Sequence, residues 1–359
     1  MQLPFRVRRL PSGLHVPMRA GFRGEVRWRV LDERGVPEIP RNPSGFAVAP
    51  IEGVRQPNVI TDLGLDRMAV TNVMRPSVGN QLWRNYLLVG TGSTAPATTD
   101  VALAAYVQRS NAGGLASEAS TFNLDTTNNV FAMQNMTSKA LTLSAPQNLT
   151  EFGFSDVNST DALIRELFRD EFGTPITISL LAGKIIDVQH TLFGEIAAPT
   201  AGVAGTFDLE QYDATNTLVS TTPYSYTHGP RVATADTGPI TFLFNLWSPA
   251  SSSVGSLSQT VAGVSGATAY ARVGGLSVVG GTNAYTSGAL DAYIGSSLQR
   301  TWRATIPTQN AVGTWSGINF GFSNAAPVCW HVAFDSPATY VKPNTDTLAV
   351  NFTSTWGRI

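Results

Sequence analysis

The order of apolar and polar positions predicts short strands along most of the chain. The clearest alternation lies in residues 24–31, and its two faces are formed by Val26, Trp28 and Val30 and by Arg27 and Arg29. After about residue 199, apolar runs of strand length are separated by turn residues, at the spacing typical of a sandwich or barrel. The pattern therefore predicts a mainly β fold built from β-sandwich-like domains, with a few short helical turns, one of which follows residue 60 and can be capped by Thr61 or Asp62.

Residues 160–172 show helical rather than alternating periodicity. The apolar side chains that would share one helix face are Leu163, Ile164, Leu167, Phe168 and Phe172. Ser159 or Thr160 can cap the N-terminus, and Gly173 supplies the left-handed residue that ends many helices. The sequence therefore predicts one amphipathic helix near the middle of the chain, with strands following at 175–181 and 185–191.

Charged side chains interleave with this apolar stripe. The acids are Glu166, Asp170 and Glu171, and the bases between them are Arg165 and Arg169. Opposite charges at this spacing are typical of a solvated, ion-paired helix surface. We therefore predict a surface role for these acids rather than a catalytic one.

Composition divides the chain into three parts. Residues 1–57 are rich in arginine and proline, and the first sixty residues carry a net charge of +5 against −6 for the remainder. We predict that residues 1–57 form an extended arm with one hairpin, because prolines interrupt its second strand. Residues 58–198 are predicted to form a β-rich domain that contains the 160–172 helix, and residues 199–359 an all-β, sandwich-like domain.

The arm has two possible destinations. It can dock on a neighbouring subunit, or residues 24–31 can add a strand to the chain's own sheet, with Val26, Trp28 and Val30 closing its core. Arginine and tryptophan are enriched at protein interfaces, and the guanidinium fork binds carboxylates and stacks on aromatic rings. The candidate interaction residues are therefore Arg23, Arg27, Trp28, Arg29 and Arg34.

The low charge of the chain bears on its partners. Charged residues make up 14% of it, against roughly 25% in an average soluble protein. Such a surface suits contact with neighbouring subunits, since a free monomer usually needs more charge to stay soluble. The net charge of −1 argues against a nucleic-acid partner.

The single Cys329 excludes a disulfide within the chain, and we expect neither a signal peptide nor a membrane span.

No motif predicts catalysis or a cofactor. The Gly-Thr-Gly at 90–92 follows a strand, but the third glycine and the Gly-Lys-Ser/Thr of phosphate loops are missing. The histidines lack the spacing of a helical metal pair and are His15, His190, His228 and His331. The nearest approach to the paired acids of a glycosidase is Asp208, Glu210 and Asp213. We therefore predict no catalytic, cofactor-binding or metal-binding residues.

Four segments stand out by their order along the chain. They are NVITDLGLDRM at 58–68, VGTGSTAPATTDVAL at 89–103, NLTEFGF at 148–154 with GTPITI at 173–178, and TLAVNFTSTWGR at 347–358. Together they resemble a family of virion structural proteins of tailed bacteriophages, described as tail, tail-fibre or baseplate-associated proteins. The resemblance runs from about residue 58 to the end, more loosely over 200–290. It implies structural assembly and supplies no catalytic residues.

The resemblance also implies a location and partners. The expected location is the virion, in its tail region, after synthesis and assembly in the cytoplasm of the bacterial host. The expected partners are copies of the chain itself, a trimer first, and other virion proteins, without nucleic acid, cofactor or membrane insertion. Two further functions stay open, a carbohydrate-binding adhesin for a host-surface glycan and, more distantly, a capsule or cell-wall glycan hydrolase.

Overall fold

The computed structural model describes residues 14–47, 56–69, 83–111, 115–125, 130–197, 203–212, 217–230, 256–261, 269–271, 277–279, 283–284, 289–290, 292–306, 313–321, 330–337, 339–342 and 348–359. Within these ranges the fold is mainly β, as predicted, with one short helix, α1 (Asp62–Arg67). Cys329 lies outside the described residues.

The strands of the larger sheet come from every part of the chain. In chain order they are β1 (Leu14–Leu31), β2 (Pro37–Glu38), β3 (Gln56–Ile60), β4 (Tyr86–Gly90), β5 (Tyr106–Arg109), β6 (Leu115–Asp125), β7 (Val130–Thr142), β9 (Glu151–Ser155), β10 (Ile164–Leu167), β12 (Ile185–Ala197), β19 (Ala289–Leu290), β20 (Gln299–Ile306) and β24 (Leu348–Arg358). A separate two-stranded sheet pairs β8 (Gln147–Leu149) with β11 (Ile178–Leu180).

Strand β1 lies where the larger sheet branches. Along one edge it pairs in parallel with β24 through residues 14–22 and then antiparallel with β3 through residues 24–26. Its other edge pairs with β12 over residues 20–31. From β12 the sheet continues through β7 to β6, and from β3 it continues through β10, β9 and β4 to β5.

The alternation predicted for β1 is confirmed. Val26, Trp28 and Val30 are buried, whereas Arg27 is partly exposed and Arg29 is exposed. Because β1 pairs with four strands of its own chain, β2, β3, β12 and β24, residues 14–31 do not form a detached arm, and the second predicted destination is the one observed. The boundaries predicted at 57 and 198 do not divide this sheet, since β1, β12 and β24 all belong to it.

An aromatic core lies between the two branches of the sheet. Trp28 of β1 meets Phe168 edge-on, with ring centroids 5.2 Å apart, and Phe154 of β9 lies 5.7 Å from the His190 ring of β12. Phe152 and Val188 are fully buried between the same strands. Each large apolar side chain buried in this way contributes about 1.5–3 kcal/mol, so this packing stabilises the contact between the two branches.

The C-terminal part contributes a second antiparallel sheet. Its members are β13 (Val203–Tyr212), β14 (Leu218–Pro230), β15 (Ser256–Val261), β18 (Asn283–Ala284), β21 (Gly313–Gly321), β22 (Trp330–Ser336) and β23 (Tyr340–Lys342). They are ordered β13-β14-β22-β21-β15-β18, and β23 pairs with β21. A two-stranded sheet of β16 (Ala269–Ala271) and β17 (Ser277–Val279) completes the strands. The predicted β character of residues 199–359 is confirmed where the structure describes them.

The helix predicted at 160–172 is wrong. Ile164–Leu167 form β10, between β3 and β9, and Phe172 stands in the following turn with 84% of its surface exposed. The four other apolar residues of the predicted stripe are buried. A strand that is covered on both faces does not show alternating polar and apolar positions. The apolar residues around β10 therefore matched the spacing of a helix by chance.

The charged residues of this segment also differ from the prediction. Arg165 and Glu166 are buried rather than solvated, because strands or loops cover both faces of β10. Two features of the prediction are confirmed. Gly173 has a φ of +81°, and the two strands that follow are observed as β11 and β12, with Gly183 at +85° in the turn between them.

Candidate functional site

The predicted interaction residues do not form one site. Three of them follow one another along the outer face of β1, namely Arg23, Arg27 and Arg29. The Arg23 guanidinium is 2.6 Å from the Glu25 carboxylate and lies 4.0 Å above the Phe193 ring. Arg29 is 2.7 Å from the Asp187 carboxylate. The contacts of Arg23 with Phe193 and of Arg29 with Asp187 hold β1 to its neighbour β12.

Trp28 and Arg34 lie in different surroundings. Trp28 is buried on the inner face of β1, and its Nε1 donates a hydrogen bond to the Arg169 carbonyl at 3.3 Å. Arg34 is exposed in the turn after β1, with its guanidinium 3.3 Å from the Asp32 carboxylate. The five predicted residues are therefore divided between the core, the outer sheet face and a turn.

The Gly-Thr-Gly loop surrounds a carboxylate that belongs to the chain itself. The buried Glu151 side chain accepts hydrogen bonds from the backbone N–H groups of Gly92 at 3.0 Å, Ala104 at 3.1 Å and Ala105 at 2.8 Å. A Cβ at Gly90 would stand 2.7 Å from this carboxylate, and one at Gly92 would stand closer still. Backbone N–H groups that could surround a bound anion are thus occupied by Glu151.

Arg165 completes this anchor. Its Nε donates to Glu151 at 2.8 Å and its Nη1 to Asp100 at 2.6 Å, while Nη2 donates to the carbonyl and hydroxyl of Thr94 at 2.9 Å each. Strand β9, strand β10 and the loop at 91–105 are joined by this one side chain. Removing one partner of such a buried ion pair typically costs about 3–5 kcal/mol, so the arrangement is structural.

Helix α1 joins the segments that carry the resemblance. The Thr61 hydroxyl caps its first turn. Trp356 donates from Nε1 to the Leu65 carbonyl at 2.8 Å, and Arg358 is 2.6 Å from the Asp62 carboxylate. Segments 58–68 and 347–358 therefore meet at α1, and segments 89–103 and 148–154 meet at Glu151.

A polar cluster lies within the aromatic core. Arg84 is buried, with Nη1 2.7 Å from His190 Nδ1, and its Nη2 donates to the Asn135 side-chain oxygen. Because a guanidinium can only donate, Nδ1 is the acceptor and the proton of the neutral ring is on Nε2. Burial, and after it the Arg84 charge, lowers the pKa of His190 well below its ordinary value. The ring is therefore neutral at pH 7.

A cleft opens where β3 and β10 separate. The two strands pair only through Ile60 with Ile164 and Val59 with Arg165. In the same register Pro57 would face Leu167, where proline has no N–H to add to the ladder. From there β3 continues beside β1 and β10 beside β9, and a cleft of about 530 Å³ lies between them.

Two amides line one wall of this cleft. Gln56 is 4% exposed, and its Nε2 donates to the Asp170 carbonyl at 3.4 Å, whereas its Oε1 has no hydrogen-bond partner among the described residues. Both amide atoms of Asn58 also lack one in this part of the chain. A buried polar group without a partner costs about 1–3 kcal/mol and is uncommon. These atoms therefore mark a position for another polar group.

The opposite wall carries charge and an aromatic ring. Glu166 accepts hydrogen bonds through Oε1 from Arg169 Nε at 3.0 Å and from the Leu167 N–H at 2.9 Å. Burial raises the pKa of Glu166, although the nearby arginine charges oppose this effect. Phe172 also lines this wall and is mostly exposed. The cleft therefore offers hydrogen-bond donors, acceptors and one exposed aromatic face.

A larger cleft, of about 710 Å³, lies beside β8 and β11 and is lined in part by Asn148, Thr150 and Leu181. Unlike the first cleft, it contains none of the buried, unpartnered polar atoms found among the described residues. It therefore gives less reason to expect a polar ligand.

Sequence reasoning missed the residues of the first cleft. Gln56 and Asn58 lie in the proline-rich region and at its end, and Glu166 and Phe172 were assigned to a helix. The cleft depends on the separation of β3 from β10, which no local pattern reports. The side chains of Asp208 and Glu210, and residue Asp213, lie outside what the structure describes.

Two absences hold for the described ranges. They contain no group of three or more histidine, cysteine, aspartate or glutamate side chains that could hold a metal ion. They also contain no helix long and apolar enough to cross a membrane.

The chain was compared with protein-family models, with curated proteins and with solved structures, and it matches none of them.

Proposed function

We propose that the protein is a non-enzymatic structural subunit of a tailed-bacteriophage particle, in its tail, tail fibre or baseplate. It associates with copies of itself, a trimer being the first expectation, and with other virion proteins. The resemblance of the four segments supports this proposal. Their use in the fold adds to that support, because segments far apart in sequence meet at α1 and Glu151.

The observation that carries the assembly role is a group of exposed apolar side chains. We call this group the apolar edge, and each member is more than half exposed: Val36, Ile39, Phe46 and Leu181. The Ser179 N–H donates to the Arg41 carbonyl at 2.7 Å, so the segment that carries the first three lies against β11, next to Leu181. Exposed apolar residues grouped in this way are typical of protein contact surfaces.

Light scattering of the full chain at micromolar concentration tests self-association. We expect an oligomer, and we expect Ile39→Ser combined with Phe46→Ser to lower its mass towards the monomer, because apolar contact area is lost. The matched control is Val101→Ser, since Val101 is equally exposed but lies on a different loop. A wild-type chain that is monomeric under these conditions would contradict the assembly role.

Electron microscopy of particles with a labelled subunit tests the location. We expect the label in the tail region of each particle. Particles that contain no label, or a label confined to the head, would contradict the tail assignment whatever the oligomeric state in solution.

A further inference from the structure

We propose that the cleft between β3 and residues 166–173 is a binding site for a neutral saccharide. This site lies away from the apolar edge and shares no residue with it. Binding and assembly are therefore separate properties, and each can be tested without the other.

The first argument is the position of the unpartnered polar atoms. Gln56 and Asn58 are two residues apart on β3, so their side chains leave the same face of the strand. The side chains of Asn58 and His190 both lie against Gly24. A Cβ added to Gly24 would be 2.7 Å from His190 Nε2 and closer still to Asn58 Oδ1. His190 Nε2 also has no hydrogen-bond partner among the described residues. Unpartnered donors and acceptors thus continue from the cleft wall towards the core.

The second argument is the kind of group that satisfies these atoms. Gln56 Oε1 needs a donor, whereas the Asn58 amide needs both a donor and an acceptor. A hydroxyl donates once and accepts twice, so two adjacent hydroxyls on one ring can serve both amides. The terminal torsion of an amide side chain is broad, so both amides can turn towards a ligand in the cleft.

The third argument is the exposed aromatic ring. Phe172 is 84% exposed, although water is an unfavourable environment for such a side chain. The turn that carries it is fixed, because Asp170 accepts hydrogen bonds from the N–H groups of Phe172 and Thr174 at 2.9 Å each. The C–H face of a pyranose ring is apolar and can cover an aromatic ring while the hydroxyls at its edge bind amides. A backbone turn held in place before binding loses little entropy when the ligand arrives.

Charge selects among hydroxylated ligands. The cleft is lined by two carboxylates, Glu166 and Glu171, and one cation, Arg169. The guanidinium of Arg169 is already bound to Glu166 at 3.0 Å and to the Gly173 carbonyl at 2.9 Å. An anionic ligand would therefore meet two negative charges and a cation that is already paired. This favours neutral sugars over uronic acids, sialic acids and phosphorylated sugars.

The dimensions agree with a small ligand. A volume of about 530 Å³ falls within the range of small-molecule pockets, roughly 300–1,000 Å³. A stable protein interface instead buries about 800 Å² of surface on each partner, which is far more surface than a cleft of this size contains. One or two sugar rings fill the space.

Ligand-observed saturation-transfer NMR on the full chain tests the proposal. The probes are methyl glycosides of glucose, galactose, mannose and N-acetylglucosamine with their disaccharides, and digalacturonate is the charged comparison. We expect at least one neutral probe to bind at millimolar concentration, and digalacturonate to bind more weakly. Phe172→Ala should weaken this binding about tenfold through the lost aromatic contact.

A second variant separates ligand binding from folding. Gln56→Met keeps the length of the side chain and removes the unpartnered acceptor together with the long 3.4 Å hydrogen bond to the Asp170 carbonyl, so the melting temperature should change little. Saccharide binding should nevertheless be lost. The matched control is Phe46→Ala, which removes an exposed phenylalanine outside the cleft and should leave binding unchanged. Light scattering of Phe172→Ala and Gln56→Met, which both lie outside the apolar edge, should show that assembly is unaffected.

Three results would overturn the proposal. The first is that no neutral probe binds, which would mean that the amides hold water only. The second is binding that survives both Phe172→Ala and Gln56→Met, which would place the ligand elsewhere. The third is binding of digalacturonate alone, which would contradict the charge argument.

Discussion

At the scale of single residues, His190 shows how burial decides the state of a titratable group. Its ring lies against Trp83 and Phe154, with centroids 6.3 and 5.7 Å away, and Arg84 approaches Nδ1 at 2.7 Å. Protonation would place a second positive charge beside Arg84 in a buried site. The low pKa of His190 therefore follows first from burial and second from this repulsion.

This low pKa predicts a loss of stability in acid. Below pH 6.5, the ordinary pKa of histidine, the unfolded chain binds a proton that the folded chain excludes, so the free energy of unfolding falls as pH falls. The loss contributed by His190 approaches about 1.4 kcal/mol per pH unit. In His190→Gln, which keeps an acceptor for Arg84, this contribution should disappear. Denaturant unfolding of both proteins at pH 7.5, 6.0 and 5.0 measures how the free energy of unfolding of each depends on pH.

Comparing the two pH dependences cancels the contributions of the other titratable groups. Burial raises the pKa of Asp156 and of Glu166, so each of these acids stabilises the fold as pH falls, in the opposite direction to His190. Both acids, and the other three histidines, are the same in the two proteins. If the free energy of unfolding has the same pH dependence in wild type and in His190→Gln, His190 is not buried in its neutral form.

At the scale of elements, the predictions succeeded where local sequence decides the structure. The alternation in β1 was read correctly because one of its faces is apolar and the other carries arginines that remain partly exposed. Strand β10 was misread because both of its faces are covered. Its charged residues are buried by partners distant from it, Arg165 by Glu151 and Asp100, and no local pattern reveals these ion pairs.

One substitution distinguishes the observed strand from the predicted helix, and two others serve as its references. Leu167→Ala should cost about 2–5 kcal/mol in either case, because the side chain is buried. Glu171→Ala should cost less than about 0.5 kcal/mol in either case, because the residue is exposed. Arg165→Ala decides the question. In β10 it leaves the buried Glu151 carboxylate without its ion pair, at a cost of about 3–5 kcal/mol, whereas on a solvated helix surface it would cost little.

Thermal unfolding of the three variants provides the measurement. We expect Arg165→Ala to melt as early as Leu167→Ala, with Glu171→Ala close to the wild type. Arg165→Ala and Glu171→Ala melting together near the wild type would support the solvated surface and contradict the anchor around Glu151.

At the scale of the whole molecule, the order of strands could not be predicted from local patterns. Strand β1 pairs with β24, more than 300 residues later in the chain, as well as with β12 and β3. Periodicity reports which face of a strand is buried, but not which strand lies beside it. The same limit applies to the candidate cleft, since it exists only because β3 and β10 pair briefly and then follow different neighbours.

The position of β1 predicts the outcome of a truncation. Deleting residues 1–57 removes the strand at which the sheet branches, together with β2 and the first two residues of β3, and it leaves β12, β24 and the rest of β3 with unpaired edges. It also removes Val26, Trp28 and Val30 from the core. We therefore expect the remaining chain to aggregate, or to melt far below the full-length protein, because exposed strand edges and apolar surface favour association.

Circular dichroism and melting curves of two truncated chains measure this effect. Deleting residues 1–13 is the control, because this change keeps every strand given above and should preserve the β spectrum and the cooperative transition. Deleting residues 1–57 should abolish the transition. If the longer deletion instead melts like the control, β1 is dispensable to the fold of its own chain. Residues 14–31 would then be free to act as an arm on a neighbouring subunit, and incorporation of the truncated chain into particles would show whether assembly requires them.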